Sequence, residues 1–335
     1  MAVKTIPSPS VSVVVITRDR PHDLEVCLGA VLASTTTDFD LVVVDQSTQP
    51  EAAQHVQRCA ARDARVSYVR DPGTGAARAR NLGTLHTHGE IVVFTDDDCE
   101  PAHDWLGLIS RALRDDPAAG MAFGTVTPGP HDPRDGFIIG FQPRHRLRLH
   151  GRLAKLRDNG ISANVAIRRT ALDATGGFDE MLGPGAYFPC AEDYDLTYRV
   201  LSKGFAVVHV PEARVVHHGL RDWASGSLLV HRTYIAIGAA YTKHLRSGDL
   251  ISLGLLLQEM SRAVTNIGRN LFVHRRGPFG FGRLAGLILG IWRSFELQVD
   301  RKQAVYKPLD SSADGSPDKA TRRTNDGVWA GPTSS

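Results

Sequence analysis

Ile91-Val92-Val93-Phe94-Thr95 runs apolar and β-branched into Asp96-Asp97-Asp98, so an extended segment delivers three carboxylates to its own tip. Like charges held this close push one another toward protonation unless a cation neutralises them, and a hard divalent ion is the natural partner. The Asp-x-Asp spacing sets Asp96 and Asp98 on one side of an extended chain, within reach of one ion. A solvated turn is the plainer alternative for an acidic triplet taken alone. A second acidic pair, Glu192-Asp193, opens a segment whose Tyr194, Tyr198 and Leu201 form one apolar stripe and which Gly204 closes, predicting a helix over Ala191 to Lys203. A carboxylate there can take the proton of an attacking hydroxyl, and it can equally serve the helix dipole. His217 and His218 end an extended run, and strand neighbours face opposite ways, so at most one of them can face a metal at the triplet.

These groups need a scaffold, and the pattern predicts an α/β one. Val11 to Ile16, Leu41 to Val44, Val66 to Arg70 and Ile91 to Thr95 read as strands; Asp23 to Ala33, Pro50 to Ala61 and Ala76 to His86 read as the helices between them. Near-continuous apolar strands alternating with helices mean a mostly parallel sheet covered on both faces, with ligands beyond the carboxyl ends of its strands. Thr17 to Arg20, Asp45 to Ser47, Asp71 to Gly75 and Asp96 to Asp98 all fall at such ends, and should converge on one crevice.

Motifs in this order resemble those of the family 2 glycosyltransferases of the GT-A fold: VSVVVITRDRP, VVVDQST, DPGTGAARARNLG, VVFTDDDCEP, GISANVAIRR, GGFDE, AEDYDLTYRVLSKGF and VVHHG, over roughly residues 10–220. The resemblance implies a Rossmann-like GT-A domain that is inverting and metal-dependent. It implies that Thr17, Arg18 and Asp45 hold the nucleotide base and that Arg80 and Asn81, with Arg78 nearby, serve the nucleotide and phosphates. Asp96 and Asp98 would hold Mn²⁺ or Mg²⁺, with Asp97 nearer the ribose or sugar. Asp193 would be the general base, with Glu192 as runner-up, and a metal-binding His would be His217 in preference to His218. Asn164 falls where the family contacts donor sugar or acceptor. The glycine loop containing Gly185 could let a sugar approach closely, and Trp223 could stack on a sugar or simply pack.

The implied reaction moves a sugar from a nucleoside diphosphate-sugar, UDP or dTDP favoured because Asp45 can accept from N3 of uracil or thymine, to a glycan, lipid-linked or small-molecule acceptor. A sugar-phosphate nucleotidyltransferase would carry a Gly-rich loop where Thr-Arg-Asp-Arg-Pro stands, and a haloacid-dehalogenase-like phosphatase would need Thr where Cys99 stands; a non-catalytic scaffold would have no need of the acids together. The chain has 335 residues, 42% hydrophobic and 22% charged, and a net charge of +3, too small to imply nucleic acid. No acid occurs from Phe137 to Arg157 among six cations, so this stretch reads as an anion or lipid contact, or as a solvated basic loop. Cys27, Cys59, Cys99 and Cys190 form no zinc or disulfide pattern and fit a cytoplasmic setting. The expected division is a disordered lead over 1–10, a catalytic domain over 11–222, a helical region over 223–303 and a disordered tail over 304–335. Apolar pieces flanked by arginines in the helical region suit the inner face of an anionic membrane, a cap over the acceptor or a homodimer interface, and none is predicted to span a bilayer.

Overall fold

The computed structural model describes residues 10–158, 160–269 and 281–308. The first half is β1 (Val11–Thr17), α1 (Pro21–Leu32), β2 (Phe39–Asp45), α2 (Glu51–Ala60), β3 (Val66–Arg70), α3 (Ala76–Leu85) and β4 (Ile91–Asp96). Strands β1, β2 and β4 bury both faces, whereas the edge strand β3 fully buries only Val66. Val13, Val15, Val43 and Val93 enter one core cluster, while Val14, Val42, Val92 and Phe94 enter another on the opposite side. Pro21 opens α1 at a position where its missing N–H leaves nothing unpaired. Gly83 lets α3 settle on the sheet, since a Cβ there would lie 2.4 Å from Val14 Cγ1.

The chain continues through β5 (Cys99–Pro101), α4 (Trp105–Asp115), β6 (Ala119–Pro128), β7 (Phe137–Ile138), β8 (Leu147–Leu149), β9 (Val165–Arg168), α5 (Arg169–Thr175), α6 (Glu192–Ser202), β10 (Ala206–His217) and β11 (Leu220–Arg221). The main sheet runs β3-β2-β1-β4-β9-β6-β10-β5, with β8 beside β10. Strands β3, β2, β1 and β4 are parallel, as expected. Beyond them β9 runs antiparallel to β4 and β6, and β10 returns parallel to β6. The register aligns the strand tips, with Thr17 beside Asp45 and Ile16 beside Asp96. β7 and β11 form a separate short ribbon.

Three helices follow, α7 (Trp223–Arg246), α8 (Ile251–Gly268) and α9 (Phe281–Ser294), then a hairpin of β12 (Val299–Asp300) and β13 (Val305–Tyr306). They share a core with the α/β region: Leu182, Phe188 and Tyr198 pack in one cluster with Ala236, Tyr241, Leu255, Leu287 and Tyr306. Two expectations need correction. Order persists past 304, because Tyr306 is 3% exposed and its hydroxyl donates to Ala239 O. The basic stretch is largely paired internally, Arg146 with Glu212, Arg148 with Asp116, Arg152 with Asp249 and Lys155 with Asp158. The lead over 1–9, the arginines and histidine at 274–276 and the tail beyond 308 lie outside the described residues. Among those described, no helix is long and apolar enough to cross a membrane.

Candidate active site

A cleft of about 1060 Å³ opens at the carboxyl ends of the central strands; its walls include Thr17, Arg18, Arg20, Arg80, Asp96, Asp97, Asp98, Gly185, Glu192, Asp193 and His217. The three acids at the tip of β4 take three different partners. Asp96 accepts from Arg80 Nη2 at 2.8 Å. Asp97 is buried, accepting from the Thr17 hydroxyl at 2.7 Å and Arg20 Nη1 at 3.2 Å. Burial pushes its carboxyl up to about 6, against the pull of Thr17 and Arg20. Asp98 accepts from Arg20 Nη1 at 2.6 Å and lies 3.3 Å from His217 Nε2. Burial alone would raise the Asp98 carboxyl, but His217 and Arg20 hold it below the usual carboxylate range.

Asp98, Cys99 and His217 bring one ligand atom each within 4.8 Å of one another. Cys99 is the weak member, since burial among the acids keeps its thiol protonated. The His217 ring is held in a ligating orientation, with Nδ1 paired with Ile139 O at 2.8 Å and Nε2 left toward Asp98. Space is kept by Gly219, where a Cβ would lie 2.7 Å from both Asp98 Oδ2 and His217 Nε2. A carboxylate, an imidazole and this glycine cradle fit a divalent ion such as Mn²⁺. His218 points elsewhere, pairing with Glu100 at 3.2 Å. Asp96 stands apart from this group, with one oxygen taken by Arg80.

Across the cleft, α6 begins on Ala191, a non-glycine residue with φ 72°, in the left-handed region. That turn presents Glu192 and Asp193 together. Glu192 accepts from Arg80 Nη1 at 3.0 Å, so Arg80 spans from one acidic wall to the other. The Arg80 side chain is 3% exposed, and its Nε has no hydrogen-bond partner among the described residues. Asp193 accepts from Ser162 N–H at 3.2 Å and from Tyr194 N–H at 2.7 Å. Burial and the neighbouring carboxylate raise Glu192; burial raises Asp193 too, against Lys155 and Arg80.

Several residues expected at the site are elsewhere. Asn164 is fully buried, accepting from Trp105 Nε1 and donating to Thr125 O and Ala213 O, so it braces strands and cannot meet a sugar. Asp45 is 1% exposed, with its oxygens on Ser47 N–H and the Tyr68 hydroxyl, behind the cleft wall. Asn81 ties α3 to Phe178, and Arg78 pairs with Asp71. Trp223 packs on Phe137 with ring centroids 5.3 Å apart and donates to Pro133 O, away from the cleft lining. Sequence reasoning gave Arg20, Gly219 and Ser162 no role, although Arg20 stands in the polar cluster after β1, Ser162 in GISANVAIRR and Gly219 at the end of VVHHG.

A model described as "Glycosyl transferase family 2" matches residues 12–176. The chain is 27% identical over 229 residues to the O-antigen biosynthesis protein RfbC of Myxococcus xanthus, covering 63% of this chain and 17% of that protein. It is 28% identical over 270 residues to the pre-mycofactocin glycosyltransferase of Mycobacterium tuberculosis, covering 76% of this chain and 50% of that one. It thus spans half or less of the length of these relatives. A solved structure of the mannosyltransferase PcManGT from Pyrobaculum calidifontis, in complex with GDP-Man and Mn²⁺, superposes with a TM-score of 0.58 at 19% identity, over 86% of this chain and 87% of that one.

Proposed function

We propose that this chain, which belongs to glycosyl transferase family 2, moves a sugar from a nucleoside diphosphate-sugar to an acceptor hydroxyl with inversion. The observation that carries this is the pairing of two acidic walls in one cleft, Asp96 to Asp98 on β4 and Glu192-Asp193 on α6, bridged by Arg80. Asp193 takes the hydroxyl proton as that oxygen bonds to the anomeric carbon. The bond from that carbon to the diphosphate breaks, and its electron pair leaves with the diphosphate. Apart from the β4 acids, Glu192 and Asp193, the described cleft lining has one carboxylate, Asp222, and it is engaged in capping α7 through Ser225, which supports a single displacement. Arg80, a cation lining the cleft between Asp96 and Glu192, suits the diphosphate. Thr17, Arg18 and Asp97 suit the nucleoside, and Gly185 the sugar. Mn²⁺ or Mg²⁺ held by Asp98 and His217, with Asp96 at hand, would neutralise charge on the leaving diphosphate.

With Asp45 turned away from the cleft, the choice of base rests on other groups, and the GDP-Man of the structural relative widens it beyond uracil and thymine. Peripheral membrane contact is supported by the outward face of α9, where Phe281, Ile288 and Trp292 are each more than half exposed, as is Phe295 just past its end. A second copy of the chain would cover the same face. The experiment is calorimetric titration with UDP, dTDP, GDP and CDP, each with Mn²⁺ and with EDTA. One nucleotide should bind only with metal; binding of none would remove the reading.

A further inference from the structure

Beside the active cleft lies a second cavity of about 600 Å³, walled on one side by Lys155, Asp158 and Tyr194 and on the other by α7, α8 and α9. The two spaces share Tyr194 and Ile237 as lining, and Tyr194 directly follows the candidate base Asp193. The cavity is rich in cations. Lys155 is fully buried, its Nζ 3.8 Å from the centre of the Tyr194 ring, and is neutralised by Asp158 at 3.0 Å. Arg262 is neutralised by Glu259 at 2.7 Å. Arg269 and Arg283 also line the space, and no carboxylate pairs with either among the described residues; Arg283 lies 5.3 Å over the Tyr234 ring. Two acids against four cations among its described lining residues give a surplus of positive charge, carried by two planar donor forks at the end of α8 and the start of α9.

We propose that this cavity is the anion subsite of the acceptor, taking a phosphate or diphosphate group while the acceptor hydroxyl reaches Asp193 through the shared wall. Guanidinium forks match phosphate oxygens in pairs, and two of them without counter-charges suit a doubly charged group. The inference rests on the glycosyl-transfer reading only for the direction of the acceptor; the anion site itself stands on the cavity. The phosphate can belong to a water-soluble acceptor or to a lipid headgroup.

Hydrogen exchange read by mass spectrometry tests this on the full chain in EDTA, with inorganic pyrophosphate in one arm and phosphatidylglycerol against phosphatidylcholine vesicles in another. Protection of residues 258–269 and 281–287 is expected. It should require about a hundredfold more probe, or more, in the Arg269→Ala/Arg283→Ala variant, each side chain being worth a charged hydrogen bond or more. Protection by pyrophosphate assigns a soluble phosphate; protection by the anionic vesicles alone assigns a lipid one. No protection there in either arm, or equal protection in the double variant, overturns the proposal. A separate arm with Mn²⁺ and nucleotide should protect residues 94–99 in both proteins. Its failure alone would remove the donor reading and leave the anion site standing.

Discussion

At the residue scale the site depends on what is left out as much as on what is present. Gly219 has no side chain where a Cβ would sit 2.7 Å from Asp98 Oδ2 and His217 Nε2. Gly219→Ala should therefore weaken Mn²⁺-dependent nucleotide binding by about tenfold or more while moving the melting temperature little, since the glycine borders open cleft. Unchanged metal-dependent affinity would show that Asp98 and His217 do not form the metal site. A second single-residue effect concerns acid stability. Burial would raise Asp158, but Lys155 and His209 pull its carboxyl down to about 2 from the ordinary 3.8. A depressed carboxyl stabilises the fold above its unfolded pKa and loses that contribution as pH falls through its folded one. About 2 kcal/mol should accordingly disappear between roughly pH 4 and pH 2. In denaturant titrations across that range the parent should lose about 2 kcal/mol more stability than a Lys155→Met/Asp158→Asn variant; equal losses would refute it. Residue roles were the least legible part of the sequence. Asn164, Asp45 and Asn81 look like binding groups in a string of letters, but whether a polar side chain meets a ligand or a buried carbonyl is decided by tertiary packing.

At the scale of elements, α6 is the part that positions the base, and it is held from behind. Lys243 of α7 is fully buried, 2.5 Å from Asp179 and 2.7 Å from Asp195, while Arg199 and His244 reach the same Asp195. The cluster fixes the helix carrying Glu192 and Asp193 against the C-terminal helices. Removing one cation leaves buried carboxylates uncompensated, which costs about 3–5 kcal/mol. Lys243→Met should lower unfolding free energy by that much in urea; a loss under about 1 kcal/mol would mean that the cluster is not what anchors α6. The strands and the first helices were legible because β-branched runs and their polar tips are local signals. Strand β9 and the second half of the sheet were not, because an antiparallel strand inserted between β4 and β6 is specified by contacts distant in sequence.

At the scale of the molecule, the two clusters on the faces of the sheet draw no residue from beyond 222, while a third joins Leu182, Phe188 and Tyr198 of the α/β region to the C-terminal helices. The convergence of strand tips was foreseeable from the α/β rhythm, whereas Arg80 meeting a partner 112 residues away, Glu192, was not. The claim that the whole fold serves is that metal acid and base oppose each other across one cleft with separable roles. Calorimetry of Asp98→Ala and Asp193→Asn with the cognate nucleotide and Mn²⁺, beside a transfer assay, tests it most directly. Asp98→Ala should lose metal-dependent nucleotide binding, while Asp193→Asn should bind within about twofold of the parent, under about 0.5 kcal/mol, yet transfer nothing. Equal loss of nucleotide affinity in both variants would contradict the account.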